Sequence, residues 1–385
     1  MPTFLHQINS KLPSAATSIF AKMSALANKE NAINLSQGYP DFPVSKELVH
    51  LVTKALKSGY NQYAPMPGIL ELREEIVKKV ENLYGTSYRP ESEITITAGA
   101  TQAIYTIISA FVQKDDEVII FAPAYDCYDP TIKLNGGKSI EIELQAPEFK
   151  VDWKKVKESI SDKTKMIIIN TPHNPSGTVL SEFDMKTLEG LVKDTNIIIL
   201  SDEVYEHIIF DNEKHQSVAK FSGLAERSFI VASFGKTFHA TGWKMGYCLA
   251  PAELMVEFRK THQFNVFSVN HPMQKALATY IKSPDNYLQL PGFYQTKRDF
   301  FLDAIKDSRF GVIPSKGTYF QLLNYQNISE ENDIDFADRL TIEKKIASIP
   351  ISVFYNSRLQ NKTLRFCFSK NEETLKRGAE ILNSI

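Results

Sequence analysis

Short runs of β-branched and aliphatic residues alternate along the chain with stretches whose apolar residues recur at helical spacing. Ile94–Thr97 (ITIT) is followed by AGATQ and then by Ala103–Val112 in helical period. Further runs are Glu117–Phe121 (EVIIF), Ser139–Leu144 (SIEIEL), Lys165–Asn170 (KMIIIN), Asn196–Leu200 (NIIIL), Phe229–Ala232 (FIVA) and Met245–Ala250 (MGYCLA). Several are apolar almost throughout, as strands buried on both faces are. Strands separated by helical stretches predict an α/β fold with a mainly parallel sheet, in a large domain over 41–285. The remainder reads differently. Gly311–Leu323, Ala347–Phe354 and Thr363–Phe368 predict strands and Glu372–Leu382 a closing helix, hence a smaller α+β domain over 286–385. The N-terminal segment 1–40 is expected to join that smaller domain.

At about 150 residues per domain, 385 residues suit two or three domains. Lys plus Arg number 44 and Asp plus Glu 45, a net charge of −1, which gives no general attraction to nucleic acid or anionic lipid. Hydrophobic residues at 43% and charged residues at 23% are ordinary for a globular protein and exclude a disordered or fibrous chain. Cys127, Cys248 and Cys367 are too scattered for a disulfide framework or a CxxC metal site. No apolar run approaches the ~18 residues of a membrane span. The start, MPTFLHQINSKLPSAATS, lacks the basic-then-apolar order of a secretory signal. The expectation is a soluble cytoplasmic protein.

In an open α/β sheet, ligands bind beyond the carboxyl ends of the strands, so the residues after each apolar run are the candidates. After ITIT come Gly99, Ala100 and Thr101, opening a helix whose unpaired N–H groups and positive dipole suit a phosphate. After MIIIN comes TPHNPSG, with Asn174 between Pro172 and Pro175. After NIIIL come Ser201, Asp202, Glu203, Val204 and Tyr205; after FIVA come Ser233-Phe234-Gly235-Lys236 and then Thr241-Gly242-Trp243-Lys244. Singly, each has an ordinary explanation: a small-residue turn, a helix cap, a solvated loop lysine. Together they place phosphate donors, an acid, an amide, a phenol and a lysine on one rim. No HExxH, GxSxG, GxxxxGK or GxGxxG competes. His207, His239 and His262 read as packing or loop residues. The set fits pyridoxal 5'-phosphate, which needs a lysine for its aldehyde and an acid at its pyridine nitrogen.

SDEVYE (Ser201–Glu206), SFGKTFHATGWKMGY (Ser233–Tyr247) and NTPHNPSG (Asn170–Gly177) together resemble the class I, fold type I pyridoxal-phosphate aminotransferases, over Ile33 to Phe368. INLSQGYPDFP (Ile33–Pro43), NQYAPMPG (Asn61–Gly68) and TAGATQA (Thr97–Ala103) resemble the branch of bacterial methionine aminotransferases and kynurenine–glutamine transaminases. The resemblance implies that Lys236 holds the cofactor as a Schiff base and, once released by substrate, moves the proton between Cα and the cofactor. Asp202 would pair with the pyridine nitrogen, while Tyr205 and Asn174 would bond the ring's phenolic oxygen. Ala100, Thr101, Ser233 and Lys244 would hold the phosphate and Tyr125 would lie flat on the ring. Tyr63 would reach the phosphate in a neighbouring subunit, so a homodimer is implied. Arg365, in LRFCF, would grip the substrate α-carboxylate through two parallel hydrogen bonds, helped by the Gly38 N–H and Asn174. An arginine within an apolar strand independently argues for an anionic partner.

The side-chain pocket is expected to be apolar or aromatic: Phe20, Tyr39, Tyr125, Tyr63 and Phe267, the last two from the partner chain, with Phe354 nearby. Ser268 follows Phe267 where kynurenine-handling relatives often carry a histidine, which counts against kynurenine preference. No second arginine is identifiable for a side-chain carboxylate, which counts against aspartate. The expected reaction moves an amino group from methionine, or another apolar or aromatic amino acid, to a 2-oxo acid. A carbon–sulfur β-lyase using the same lysine and aspartate is the rival enzyme class, and a kynurenine–glutamine transaminase the rival within the class. A cofactor-sensing DNA-binding regulator would carry a basic module ahead of the large domain, where this sequence has about forty residues that are not notably basic.

Overall fold

The computed structural model describes residues 2–3, 6, 8–13, 15 and 17–385. Thirteen strands are formed among them: β1 (Ile33–Asn34), β2 (Ile94–Thr97), β3 (Glu117–Ala122), β4 (Lys138–Glu143), β5 (Thr164–Asn170), β6 (Ile198–Asp202), β7 (Ser228–Ser233), β8 (Gly246–Leu249), β9 (Gly311–Val312), β10 (Phe320–Asn324), β11 (Ile346–Ala347), β12 (Ile349–Pro350) and β13 (Thr363–Cys367). β2 to β8 make one seven-stranded sheet in the order β2-β8-β7-β6-β5-β3-β4. Its pairs are parallel except at β8, which runs antiparallel to both β2 and β7.

The continuous apolar runs are explained by two cores, one on each face of this sheet. Val118, Ile120, Met166, Ile168 and Leu200 pack into one, with Ile104 and Ile108 of the helix Ala100–Phe111. Their neighbours Ile119, Phe121, Ile167, Ile169 and Ile199 point into the other. With both faces covered, a strand has no polar face to alternate with.

β9, β10, β12 and β13 form a smaller antiparallel sheet in the order β12-β13-β10-β9. β1 pairs in parallel with β11, Ile33 opposite Ile346, so the N-terminal segment is stitched to this smaller unit. Two expected strands are broken. Gly311–Leu323 divides into β9 and β10 around Pro314, Gly317 and Thr318, the last at φ +63°. Ala347–Phe354 becomes the short β11 and β12 and a single turn over Ser352–Phe354. β6 runs two residues beyond the expected Leu200, so Asp202 is the last strand residue, with Asn170 and Val231 beside it. No helix among the described residues is long and apolar enough to cross a membrane.

Candidate active site

A cavity of about 300 Å³ opens at the carboxyl ends of β5, β6 and β7 and reaches across to β13. Phe20, Gly38, Ala100, Thr101, Tyr125, Asn174, Asp202, Tyr205, Ser233, Lys236, Lys244 and Arg365 all line it. A wider groove of about 1170 Å³, beside Trp153, Phe183 and Ile313, contains none of the candidate cofactor- or substrate-binding residues.

One end of the cavity is built for an anion. Gly99, at φ +78° and ψ 171°, precedes the helix Ala100–Phe111 and has no side chain with which to cap it. The first N–H groups of the helix therefore face the cavity without a local partner. A Cβ on Gly99 would stand 3.6 Å from the Lys244 Nζ, which sets that ammonium directly beside the helix start. The Thr101 and Tyr125 hydroxyls are 3.3 Å apart, and the Ser233 Oγ accepts from the Lys236 N–H at 3.3 Å.

Asp202 lines the same cavity and is 3% exposed. Burial pushes its carboxyl up to about 6, against the pull of the Tyr128 hydroxyl, which donates to Oδ2 at 2.6 Å. A carboxylate held in this way lacks a full cationic partner. Lys236 lines the cavity within electrostatic reach of both Asp202 and Lys244. Its Nζ donates to the Gly38 carbonyl at 2.8 Å and to the Tyr319 hydroxyl at 2.7 Å. Burial brings this amine down to about 8.

Arg365 is 1% exposed at the centre of β13, opposite Leu322 and Ile349. It donates to the Asn174 Oδ1 at 2.7 Å and the Ser36 carbonyl at 3.1 Å, and its Nε is buried without a partner. Its guanidinium lies 3.9 Å from the Phe320 ring centre and 5.2 Å from that of Phe20. Among the described residues no carboxylate lies within ion-pair distance of it, and burial lowers its pKa against the opposing pull of Tyr205 and the more distant Asp126. A buried, unpaired guanidinium with a free N–H edge fits a ligand carboxylate.

Three expected residues stay out of this chain's cavity. Tyr39 is 46% exposed, because Lys370 takes hold of it, donating to its carbonyl at 2.8 Å and lying 4.8 Å from its ring centre. Tyr63 and Phe267 are 82% and 48% exposed and pack edge-on against each other at 5.4 Å. Gly38 lines the cavity, but with its carbonyl already taken by Lys236. Phe354 stands behind Phe20, ring centres 5.8 Å apart.

Sequence reasoning missed Tyr128, Asn170, Tyr319, Phe320 and Gln37. Asn170 donates to the Asp202 carbonyl at 2.9 Å and accepts from the Asn174 N–H at 2.8 Å, which ties the TPHNPSG loop to β6. Gln37 donates to the Phe20 carbonyl at 2.8 Å. Tyr128 and Asn170 had a signal, since each lies within or three residues from a motif residue. Tyr319 and Phe320 had none: aromatic residues entering a strand read as core.

Residues 30–382 match the family model for aminotransferase class I and II. The chain belongs to this aminotransferase family. The methionine aminotransferase of Escherichia coli is 47% identical over 377 residues, 98% of each chain. An Escherichia coli crystal structure described as identifying a methionine aminotransferase function superposes with a TM-score of 0.96 at 46% identity, over 99% of this chain and 100% of that one. The N-succinyldiaminopimelate aminotransferase of Mycobacterium tuberculosis superposes with a TM-score of 0.95 at 32% identity, over 98% and 100%. A kynurenine–oxoglutarate transaminase of Dictyostelium discoideum is 30% identical over 99% of this chain and 97% of its own. The aminotransferase is thus a pyridoxal-phosphate enzyme of fold type I.

Proposed function

We propose that this aminotransferase takes the amino group of methionine, and more slowly of phenylalanine, tyrosine or leucine, and passes it to a 2-oxo acid. The observation that carries the reading is the census of cations lining the cavity among the described residues: Lys236, Lys244 and Arg365. Lys236 is needed for the chemistry, Lys244 for the phosphate and Arg365 for the α-carboxylate. None is left for a carboxylate on the side chain, which would be buried without a partner. An unbranched thioether against the Phe20 and Phe320 rings meets no such cost. The likeness to the Escherichia coli methionine aminotransferase supports the same choice. Ser268 donates to the Ala64 carbonyl at 2.8 Å, so its hydroxyl is already engaged and does not favour kynurenine.

The cofactor, when bound, supplies an electron sink for the pair left at the substrate Cα. Lys244, Thr101, Ser233 and the helix start hold its phosphate. Asp202 keeps the pyridine nitrogen protonated, and Tyr128 and Asn170 keep Asp202 in place. Tyr205 and Asn174 donate to the phenolic oxygen. Arg365 orients the amino acid through its carboxylate. The Lys236 amine, its pKa brought down to about 8 by burial, would take the proton from the substrate Cα as a base and, as the resulting ammonium, give it up again as an acid. The exposed Tyr63 and Phe267 complete the site of a second copy, which makes the active unit a dimer.

A donor panel with purified enzyme tests the substrate reading. Methionine should exceed aspartate in kcat/KM by about tenfold or more, or ~1.4 kcal/mol of transition-state preference. Aspartate as the best donor would overturn the pocket reading. Cystathionine yielding pyruvate faster than methionine yields its oxo acid would favour the β-lyase.

A further inference from the structure

The segment Lys316-Gly317-Thr318-Tyr319-Phe320 enters β10 through a conformation that its sequence does not favour. Thr318, β-branched, sits at φ +63°, a setting that costs of order 1–3 kcal/mol unless its surroundings impose it. They do impose it. The Thr318 N–H donates to the Ile208 carbonyl at 2.9 Å, and the Lys316 and Gly317 N–H groups both donate to the Gly177 carbonyl, at 2.9 and 2.8 Å. A Cβ on Gly317 would stand 2.6 Å from Pro172. Ile208 belongs to the turn that follows β6 and carries Tyr205, and Gly177 ends the loop that carries Asn174. The two motif loops therefore clamp the segment from both sides.

The clamp has two consequences inside the cavity. Phe320 is laid under the Arg365 guanidinium. Tyr319, wholly buried, is aimed at Lys236, so that Lys236 Nζ, the Tyr319 hydroxyl and the Gly38 carbonyl form a closed triangle of 2.7, 2.6 and 2.8 Å. The tyrosine donates to the carbonyl and accepts from the amine. Its ring is fixed by Tyr205 at 5.2 Å, Phe320 at 5.0 Å and Tyr294 at 5.7 Å.

We infer that Tyr319 is a positioning residue for the known reaction: with the Gly38 carbonyl it docks the free ε-amino group of Lys236 and holds it in the position from which it moves the substrate proton. The inference rests on the reading of Lys236 as that amine. A lysine stem has four rotatable bonds, and a flexible amine released into a cavity is a poor proton carrier unless it is returned to one place. Two acceptors on a rigid wall do this without adding a charge. The tyrosine, in the bend that leads directly into β10 beside β13, also makes the amine's position depend on the same small sheet that carries Arg365.

The test is Tyr319→Phe, which keeps the ring contacts and removes only the hydroxyl. Tyr294→Phe serves as control, because its hydroxyl contacts Ser369 and not Lys236. In the apoenzyme, the rate at which labelled formaldehyde and a mild reductant methylate Lys236 is followed against pH by peptide mass spectrometry. An ammonium that loses an acceptor gives up its proton more readily, so the midpoint should fall by about half to one pH unit in Tyr319→Phe. The groups facing this amine, Asp202, Lys244, Arg365, Cys367 and Tyr205, are the same in both proteins. In the holoenzyme, a single turnover with Cα-deuterated donor should slow roughly ten- to a hundredfold, at unchanged half-saturating donor concentration. Tyr294→Phe should show neither effect. Either effect without the other in Tyr319→Phe, or both in Tyr294→Phe, overturns the docking role. Borohydride fixation of the cofactor separates the two levels. Label on a lysine other than Lys236 removes the reading beneath the inference. Label on Lys236 with an unaltered Tyr319→Phe removes the inference alone.

Discussion

The residues that carry the chemistry differ in how they are held. Asp202 is held at a cost. Its carboxyl, raised to about 6 by burial, binds a proton more readily folded than unfolded. The sign follows: the penalty is absent below the unfolded value near 4 and grows as pH rises through about 6. Apo Asp202→Asn should therefore be more stable than the apo parent at pH 8, by about 1–3 kcal/mol, with the difference vanishing towards pH 4. Urea unfolding across that range measures it, and a parent more stable than the variant at pH 8 would contradict the account. With cofactor bound the order should reverse, and transamination by the Asn variant should be lost. Arg365→Lys should raise KM for every donor together, since all share the α-carboxylate and lysine cannot match it with two parallel bonds. Both residues were legible because an acid ending an apolar run and an arginine within one are expensive to bury unless they meet a ligand. Tyr319 was not legible, because its role depends on the backbone of Thr318, which no side-chain pattern records.

Among elements, strands β2 to β8 were readable from apolar runs alone, and only their ends moved. The end of β6 matters most. The expected loop residue Asp202 is a strand residue held by Tyr128, Asn170 and the Val204 N–H. The smaller unit was harder, since Pro314 and Pro350 interrupt its apolar runs and its separate two-stranded pairing of β1 with β11 joins residues more than three hundred apart. At the junction of β2 and the helix Ala100–Phe111, function rests on a glycine. Gly99, at φ +78° and ψ 171°, occupies a region that essentially only glycine enters. The methyl of Gly99→Ala would meet Lys244 at an ordinary 3.6 Å, so the backbone and not crowding sets the cost. Apo Gly99→Ala should lose about 1–3 kcal/mol of stability. The shifted helix start should weaken cofactor binding as well, read by fluorescence titration. Undiminished cofactor affinity would remove the helix start from the phosphate site.

At the scale of the whole molecule, the question is why two large aromatic side chains stand on the surface together. Tyr63 is 82% exposed and Phe267 48% exposed, the latter at φ +63°, and each covers the other edge-on. Single exposed aromatics are unremarkable, but a strained backbone that presents one beside another suggests a surface meant to be covered. Neither side chain reaches its own chain's cavity. The motif resemblance gives Tyr63 a phosphate to reach in a second copy, and a two-fold axis makes that exchange reciprocal. Each site would then draw Lys236 from one chain and Tyr63 from the other. Lys236→Ala and Tyr63→Ala homodimers should each be nearly inactive. Mixed under conditions that exchange subunits, they form hybrids in which one site carries both lesions and the other neither. Half of the molecules in an equal mixture are hybrids and each has one intact site of two, so activity should recover to about a quarter of the parent's. Recovery that depends on exchange time, followed by coupled assay and native mass spectrometry, supports the shared site. Hybrids that form without recovery would place both residues in the same chain's site, and a fully active monomer would remove the dimer altogether.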